Sequence, residues 1–173
     1  MKLQPELIIE IGDKIIRQKA NSLLKSFFVM LACQMKQVYF PASIVATDGT
    51  THDVYSHRCN FQIEGIRIGS GTTAVDICND YALESELSNI TYANLSISYS
   101  CDVSEANIQI YQEATNSDTV DKTVSEIGIY CKTAVNSVGS TVTCCMDRSL
   151  LVSPITLQPD QTMKITYKLK YVP

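Results

Sequence analysis

The chain has 173 residues, of which 45% are hydrophobic and 18% are charged, and its formal net charge is -4 at pH 7. This length suits one core, and this hydrophobic share excludes bulk disorder. The acidic balance leaves no basic field for a phosphate backbone, so we expect no nucleic-acid partner. A charged share below the usual value of about a quarter is typical of a chain whose surface is partly covered by other chains.

The first 40 residues predict a hairpin followed by a helix. One hydrophobic run ends at Gly12-Asp13 and a second begins directly after it, which is the pattern of two strands joined by a tight turn. Hydrophobic residues then recur at helical spacing and predict one amphipathic helix over about residues 21–37. We interpret residues 1–40 as an N-terminal element of a single β-sandwich domain that spans residues 1–173.

The hydrophobic face of the predicted helix has two interpretations. It either contacts another subunit or covers one open face of the sandwich. The candidate interface residues are Leu23, Leu24, Phe27, Phe28 and Leu31. The hydrophobic stretch is much shorter than the ~20 residues of a membrane span, and acidic residues precede it. We therefore expect neither a membrane span nor an export signal in this region.

The rest of the chain has the pattern of short strands separated by turns. Residues 61–68 alternate between hydrophobic and polar, with a glycine suited to a β-bulge at Gly65, whereas residues 76–87 are polar and irregular. The same alternation predicts further strands near residues 90–99, 108–111, 124–131, 141–151 and 163–171. Several short strands with a single helix predict a mainly β chain, folded as an antiparallel β-sandwich or jelly roll.

The chain has seven cysteines, at spacings that match no zinc site. The odd number also argues against the disulfide framework of a secreted domain. We therefore interpret the cysteines as reduced thiols that pack as small apolar residues. Cys144 and Cys145 are adjacent, so a strand at this position points one of them inward and the other outward.

No combination of residues predicts an active site. The glycine-rich stretch at residues 69–73 lacks the Lys-Ser/Thr ending of a phosphate-binding loop. His52 and His57 are five residues apart in a polar stretch, and we interpret them as ordinary surface histidines. Glu84 and Glu86 are only two residues apart, which gives no reason to place them on opposite sides of a scissile bond. We expect a non-enzymatic chain without catalytic residues, cofactor or metal.

Two charged residues inside apolar stretches predict a structural contact. Glu126 lies within the stretch SEIGIY, and Arg148 lies within CMDRSLL. A charge within an apolar strand is costly unless it is paired. We therefore predict a partly buried salt bridge between Glu126 and Arg148 on neighbouring strands.

Four segments carry a resemblance to a known family. They are KANSLLKSF; IGSGTT with DYALESEL; SEIGIY; and CMDRSLL with SPITL. In this order they resemble a family of small structural proteins of tailed-bacteriophage virions, which are β-sandwich proteins that decorate the head or associate with the tail or neck. The residues that carry the resemblance, here called the motif residues, are Gly69, Gly71, Tyr81, Leu83, Glu84, Glu126, Gly128, Tyr130, Arg148 and Pro154.

The resemblance implies a non-enzymatic virion protein that is assembled in the host cytoplasm. The favoured role is a capsid decoration, or cement, protein. The alternatives are a tail, neck or fibre-associated protein and a carbohydrate-binding module for host adhesion. The implied partners are copies of the chain itself, as a trimer or hexamer, and virion proteins such as the major capsid or tail protein. Because the Ser/Thr-rich strands over residues 88–145 carry few charges, we expect other chains to pack there.

Overall fold

The structure, a computed structural model, describes residues 2–20, 23–35, 42–54, 62–101, 105–135 and 140–172. Strands dominate this part of the chain, and the strands pair in antiparallel fashion. The predicted antiparallel sandwich is confirmed. In chain order the elements are β1 (Lys2–Ile11), β2 (Lys14–Lys19), α1 (Lys25–Met35), β3 (Ala42–Val45), β4 (Thr51–Val54), β5 (Gln62–Gly69), β6 (Ile90–Cys101), β7 (Ala106–Asn116), β8 (Lys122–Val135), β9 (Ser140–Leu157) and β10 (Thr162–Val172).

The first sheet has the strand order β2-β1-β10-β7-β6. Strands β1 and β2 form the predicted hairpin across Gly12-Asp13. Strand β10 alternates as its sequence predicts: Met163 and Ile165 are buried in the core, whereas Lys164 is exposed on the opposite face. Since β10 lies between β1 and β7, this sheet joins the first described strand to the last.

The second sheet has the strand order β5-β8-β9 and shares one hydrophobic core with the first. The predicted bulge at Gly65 is confirmed, because the register between β5 and β8 shifts between Ile63 and Gly65. The φ of Gly65 is 143°, which L side chains rarely adopt, and the side chain of Gln112 occupies the space of the missing Cβ. Gln112 also accepts a hydrogen bond from the Ile66 N–H, so the bulge fastens β5 onto β7.

Along one side of the sandwich, Gln18 of β2 links the first sheet to the second by hydrogen bonds. Its side-chain amide donates to the Leu150 carbonyl at 2.8 Å and accepts from the Val152 N–H at 3.0 Å, and both groups belong to β9. The opposite edge of the first sheet is β6, which pairs with β7 alone among the described strands. The β2–β9 side of the sandwich is therefore hydrogen-bonded, whereas the first sheet ends at β6.

The helix begins later than predicted. Leu23 forms a β-bridge with Asp147, and the Leu24 N–H donates to the Met146 carbonyl at 2.7 Å. These residues extend the edge of β9, so α1 starts at Lys25 and the predicted start at residue 21 is wrong. The predicted end at residue 37 lies outside the described residues. None of the helical residues described here forms a segment long and apolar enough to cross a bilayer.

The buried face of α1 differs from the predicted one. The helix buries Ser26, Met30 and Cys33, and the Ser26 hydroxyl donates a hydrogen bond to the Cys145 carbonyl of β9. Because Leu24 is fully buried within its own chain, the prediction that it contacts another subunit is wrong. Of the other candidate interface residues, Leu23 and Phe27 are half-buried, whereas Phe28 and Leu31 are exposed.

The prediction that cysteines pack as apolar residues is confirmed for four of them. The buried ones are Cys33, Cys131, Cys144 and Cys145. The prediction is wrong for Cys78 and Cys101, which are exposed because one lies in the irregular segment before β6 and the other ends that edge strand. Cys59 lies outside the described residues.

Cys144 and Cys145 point to opposite faces of β9, as predicted. Cys144 belongs to the main core between the sheets. Cys145 belongs to a small cluster with Leu24, Leu83 and Tyr130. Both faces of β9 are therefore covered at this point. Leu24, just before α1, and Leu83, between β5 and β6, pack on the outer face.

A short second hairpin is not predicted by the sequence. Strands β3 and β4 pair on either side of the turn at residues 47–50. The Thr47 N–H donates to the Thr143 carbonyl at 3.0 Å, which attaches the turn to β9. Strands of four residues leave too short an alternation for the pattern to identify.

Candidate functional site

Most of the motif residues meet around the buried side chain of Arg148. Arg148 lies in β9 opposite Gly128 of β8, two residues along from Glu126. The Arg148 side chain is 2% exposed and that of Glu126 is 0% exposed, and their Nε and Oε2 atoms are 2.7 Å apart. The predicted salt bridge is confirmed, and it is fully rather than partly buried.

Two further carboxylates reach Arg148 from the segment between β5 and β6, residues 70–89, here called the anchored loop. Asp80 Oδ2 lies 2.8 Å from Nη1, and Glu84 Oε2 lies 3.2 Å from Nη2. Each of the three guanidinium nitrogens therefore bonds a different carboxylate. Burial alone would lower the pKa of Arg148, but the hydrogen bonds to Glu126 and Asp80 outweigh it and raise that pKa.

Glu126 also holds the backbone of the anchored loop at two places. Its Oε1 accepts from the Gly71 N–H at 3.0 Å and from the Ser85 N–H at 2.8 Å. Its Oε2 accepts from the Glu84 N–H at 3.1 Å. A Cβ at Gly69 or Gly71 would lie 2.5 Å from Glu126 Oε1. The two glycines are needed because the carboxylate must approach the backbone this closely.

The remaining contacts complete the attachment of the anchored loop. Glu84 Oε2 accepts from the Thr72 and Thr73 N–H groups, each at 2.8 Å. The hydrogen bond from the Thr73 hydroxyl is the main reason that the pKa of Glu84 lies below its ordinary value. The Tyr130 hydroxyl accepts from the Leu83 N–H at 2.8 Å, and burial raises the pKa of this tyrosine.

Two motif residues lie outside this network. The Tyr81 hydroxyl lies 3.4 Å from the position of a Cβ on Gly49, in the turn between β3 and β4. Pro154 is exposed within β9. The resemblance groups them with the other motif residues, but neither is among the described residues that hydrogen-bond Arg148.

A polar hollow of about 290 Å³ lies over the Arg148 network. Its lining includes Asn79, Asp80, Tyr81 and Glu84, and Tyr81 is 40% exposed. The sequence predicts the pairing of Arg148 with Glu126 but not the contact of Asp80, because nothing local indicates that Asp80 bonds a residue 68 positions away.

An apolar cleft of about 510 Å³ opens between the two sheets. Ile97, Ile108 and Ile63 contribute to its lining, and Asp147 and Tyr167 are among its few polar groups. The sequence does not predict this cleft, because its lining comes from strands that are distant in the sequence.

Asp147 is buried beside this cleft and has partners for both carboxylate oxygens. It accepts from the Ser149 hydroxyl at 2.7 Å and from the Tyr167 hydroxyl at 3.0 Å. Burial raises the pKa of Asp147 to about 7. In the sequence, the feature that points to a buried Asp147 is that it is a second charge within the apolar run that contains Arg148.

The other residues considered for chemistry lie apart from one another. His52 shares a hydrogen bond of 2.6 Å with the exposed Thr50 hydroxyl, and His57 lies outside the described residues. Glu86 pairs with Arg67 at 3.9 Å on the surface. Within the ranges that the structure describes, no group of three or more His, Cys, Asp or Glu side chains is arranged to hold a metal ion.

Comparison with models of known families, with characterised proteins and with solved structures finds no match to this chain.

Proposed function

We propose that the chain is a non-enzymatic structural protein of a tailed-bacteriophage virion, and that it decorates or cements the capsid. The observation that carries the proposal is the convergence of the motif residues. All of them except Tyr81 and Pro154 take part in the buried attachment of one loop to the second sheet. The residues that carry the resemblance thus have an architectural role in this fold.

The geometry of the network supports a scaffold better than a reactive site. A catalytic group needs access to substrate and a free proton or electron pair. Glu126 is fully buried, and its oxygens accept from Arg148 and from three backbone N–H groups. Groups held in this way fix the shape of a surface, and structural proteins recognise neighbours through surface area and symmetry.

The location of the chain in a particle tests the proposal. Particles are purified from cells that produce the chain, heads and tails are separated, and each fraction is quantified by mass spectrometry. We expect the chain in the head fraction at a fixed ratio to the major capsid protein, with cryo-electron microscopy density on the outer capsid surface. Density on tails, necks or fibres would replace the decoration role by the corresponding alternative. A chain that remains in the soluble fraction would contradict a virion role.

Addition of the purified chain to heads that lack it tests the cementing function. Wild-type protein is expected to bind to saturation and to raise the temperature at which heads release DNA. Glu126→Gln, which loosens the anchored loop, should protect less at high temperature. The matched control is Glu86→Gln, the same chemical change in an exposed pair, which should protect as the wild type does.

A carbohydrate-binding module is the second candidate, and Tyr81 favours it. Tyr81 is 40% exposed and lines a polar hollow that also includes Asn79 and Asp80. Tyrosine offers an apolar face with a polar tip, which suits sugar rings and their hydroxyls. A glycan array probed with wild type, Tyr81→Ala and Tyr99→Ala tests it. Binding that is lost only in Tyr81→Ala supports the module, and an array without binding removes it.

A further inference from the structure

Strand β6 forms an edge of the first sheet that no further described strand covers. It pairs with β7 alone among the described strands, so the N–H and C=O groups along its other side face no described strand. Its 12 residues, ITYANLSISYSC, include no charged residue, no proline and no glycine. Natural edge strands usually carry charged residues or proline, because an unpaired edge otherwise templates pairing with another chain.

The opposite edge of the same sheet is protected in the usual way. Strand β2 carries Lys14, Arg17 and Lys19 within six residues. Its Gln18 side chain is also hydrogen-bonded to the backbone of β9. The two edges of one sheet therefore differ, and only the β6 edge lacks both charge and cover from a described strand.

The inner face of β6 is apolar as well as exposed. Ile97 is 54% exposed and Tyr99 is 86% exposed, and Tyr99 lies opposite the exposed Ile108 of β7. A bulge between Ala93 and Ser96 brings Ile97 and Tyr99 to the face that borders the apolar cleft. An apolar patch beside a free edge is typical of an interaction surface.

We propose that β6 pairs antiparallel with β6 of a second copy of this chain, about a twofold axis. The two five-stranded sheets then form one continuous sheet. A twofold contact brings a strand against its own copy, so any charge near its centre would meet a like charge. The absence of charge from all of β6 removes this repulsion.

Head-to-tail pairing of β6 with β2 is disfavoured by the same observations. The β2 edge presents three cationic side chains, and Gln18 already attaches it to β9. An incoming β6 carries no carboxylate to balance these cations. The second copy therefore meets β6 through β6.

The expected contact comes close to the smallest size of a specific interface. A strand of this length is about 40 Å long, and with a sheet about 10 Å thick its edge covers about 400 Å² on each copy. Burial of Ile97, Tyr99 and Ile108 of both copies adds to this area. The total approaches the ~1,000 Å² of specific interfaces. The inference concerns the purified chain and is independent of a virion role.

The experiment measures the mass of the purified chain by light scattering and sedimentation over a wide concentration range. We expect a monomer–dimer equilibrium, with amide hydrogens of residues 90–101 exchanging more slowly as the dimer forms. Tyr99→Lys and Ser98→Lys should each weaken dimerisation about tenfold or more, because each places like charges in the contact. The matched control is Val152→Lys, because Val152 is 86% exposed, as Tyr99 is, but lies in β9.

Three results would overturn the proposal. The first is a monomer at every concentration. The second is a dimer that neither lysine substitution in β6 weakens. The third is a ring of three or six copies that Ile15→Lys in β2 disrupts, since this would assign the partner edge to β2. The exchange measurement uses the wild-type chain, so the proposal can be refuted even if a variant does not fold.

Discussion

Removal of the charge on Glu126 is expected to destabilise the fold strongly. In Glu126→Gln, one amide position keeps an oxygen that can accept from the Gly71 and Ser85 N–H groups. The other position then presents an NH₂ group to the Nε–H of Arg148, so two donors face each other. Asp80 and Glu84 still bond the guanidinium, which limits the loss.

The expected free-energy change follows from the burial of the pair. Removing one partner of a buried ion pair costs about 3–5 kcal/mol. Since two carboxylates remain near Arg148, we expect Glu126→Gln to lower the free energy of unfolding by about 3 kcal/mol. In a domain of this size that corresponds to a fall in Tm of about 6–12 °C. The control Glu86→Gln, in an exposed pair, should lower it by less than about 1 kcal/mol.

Urea unfolding measures these changes, with circular dichroism and tyrosine fluorescence as two probes, since the chain has no Trp and nine Tyr. Arg148→Met and the double variant complete a mutant cycle. We expect a coupling energy of at least about 1 kcal/mol between the two positions, because each substitution removes the same contact. If Glu126→Gln matched Glu86→Gln, or if the two single changes were additive, the network would not stabilise the fold as described.

Three further predictions concern single residues. Burial raises the pKa of Asp147 from its ordinary 3.8 to about 7. Between these two pH values the folded state binds a proton that the unfolded state has released. The contribution of Asp147 to stability therefore falls as the pH rises through this range. The stability of Asp147→Asn relative to wild type should therefore grow by more than about 1 kcal/mol between about pH 4 and pH 8, and a difference independent of pH would contradict the raised pKa. Gly71→Ala should cost about 1–3 kcal/mol by urea unfolding, because the new Cβ would lie 2.5 Å from Glu126 Oε1, and an unchanged midpoint would refute this close approach. Tyr130→Phe should cost about 1–3 kcal/mol because the buried Leu83 N–H loses its acceptor, and faster amide exchange at Leu83 is the specific check.

Local patterns predict the parts of the fold that depend on local chemistry. The alternation of hydrophobic and polar residues predicts β10, and the Gly12-Asp13 turn between two hydrophobic runs predicts the first hairpin. The rule that buried charges must pair gives Glu126 with Arg148, since the residues lie on adjacent strands. The same rule does not find Asp80 or the loop as a whole, because irregular backbone carries no period from which its position follows.

The helix shows why a correct element type can accompany a wrong face. The segment KSFFVMLACQM is apolar on nearly every side, so its periodicity does not determine which side is buried. That choice depends on tertiary contacts. The Leu24 N–H bonds β9 before the helix starts, and the Ser26 hydroxyl bonds the Cys145 carbonyl. These contacts turn Met30 rather than Leu31 into the core.

The central place of β10 in the first sheet has a consequence during synthesis. Strand β10 separates the β1–β2 hairpin from the β6–β7 hairpin, yet it leaves the ribosome after every other described strand. Until it emerges, β1 and β7 each expose an unsatisfied edge, and the sheet cannot close around its core. A nascent or truncated chain that stops before Thr162 is therefore expected to capture the β10 of a neighbouring copy or to aggregate. The first sheet is in this sense completed only when β10 is available to it.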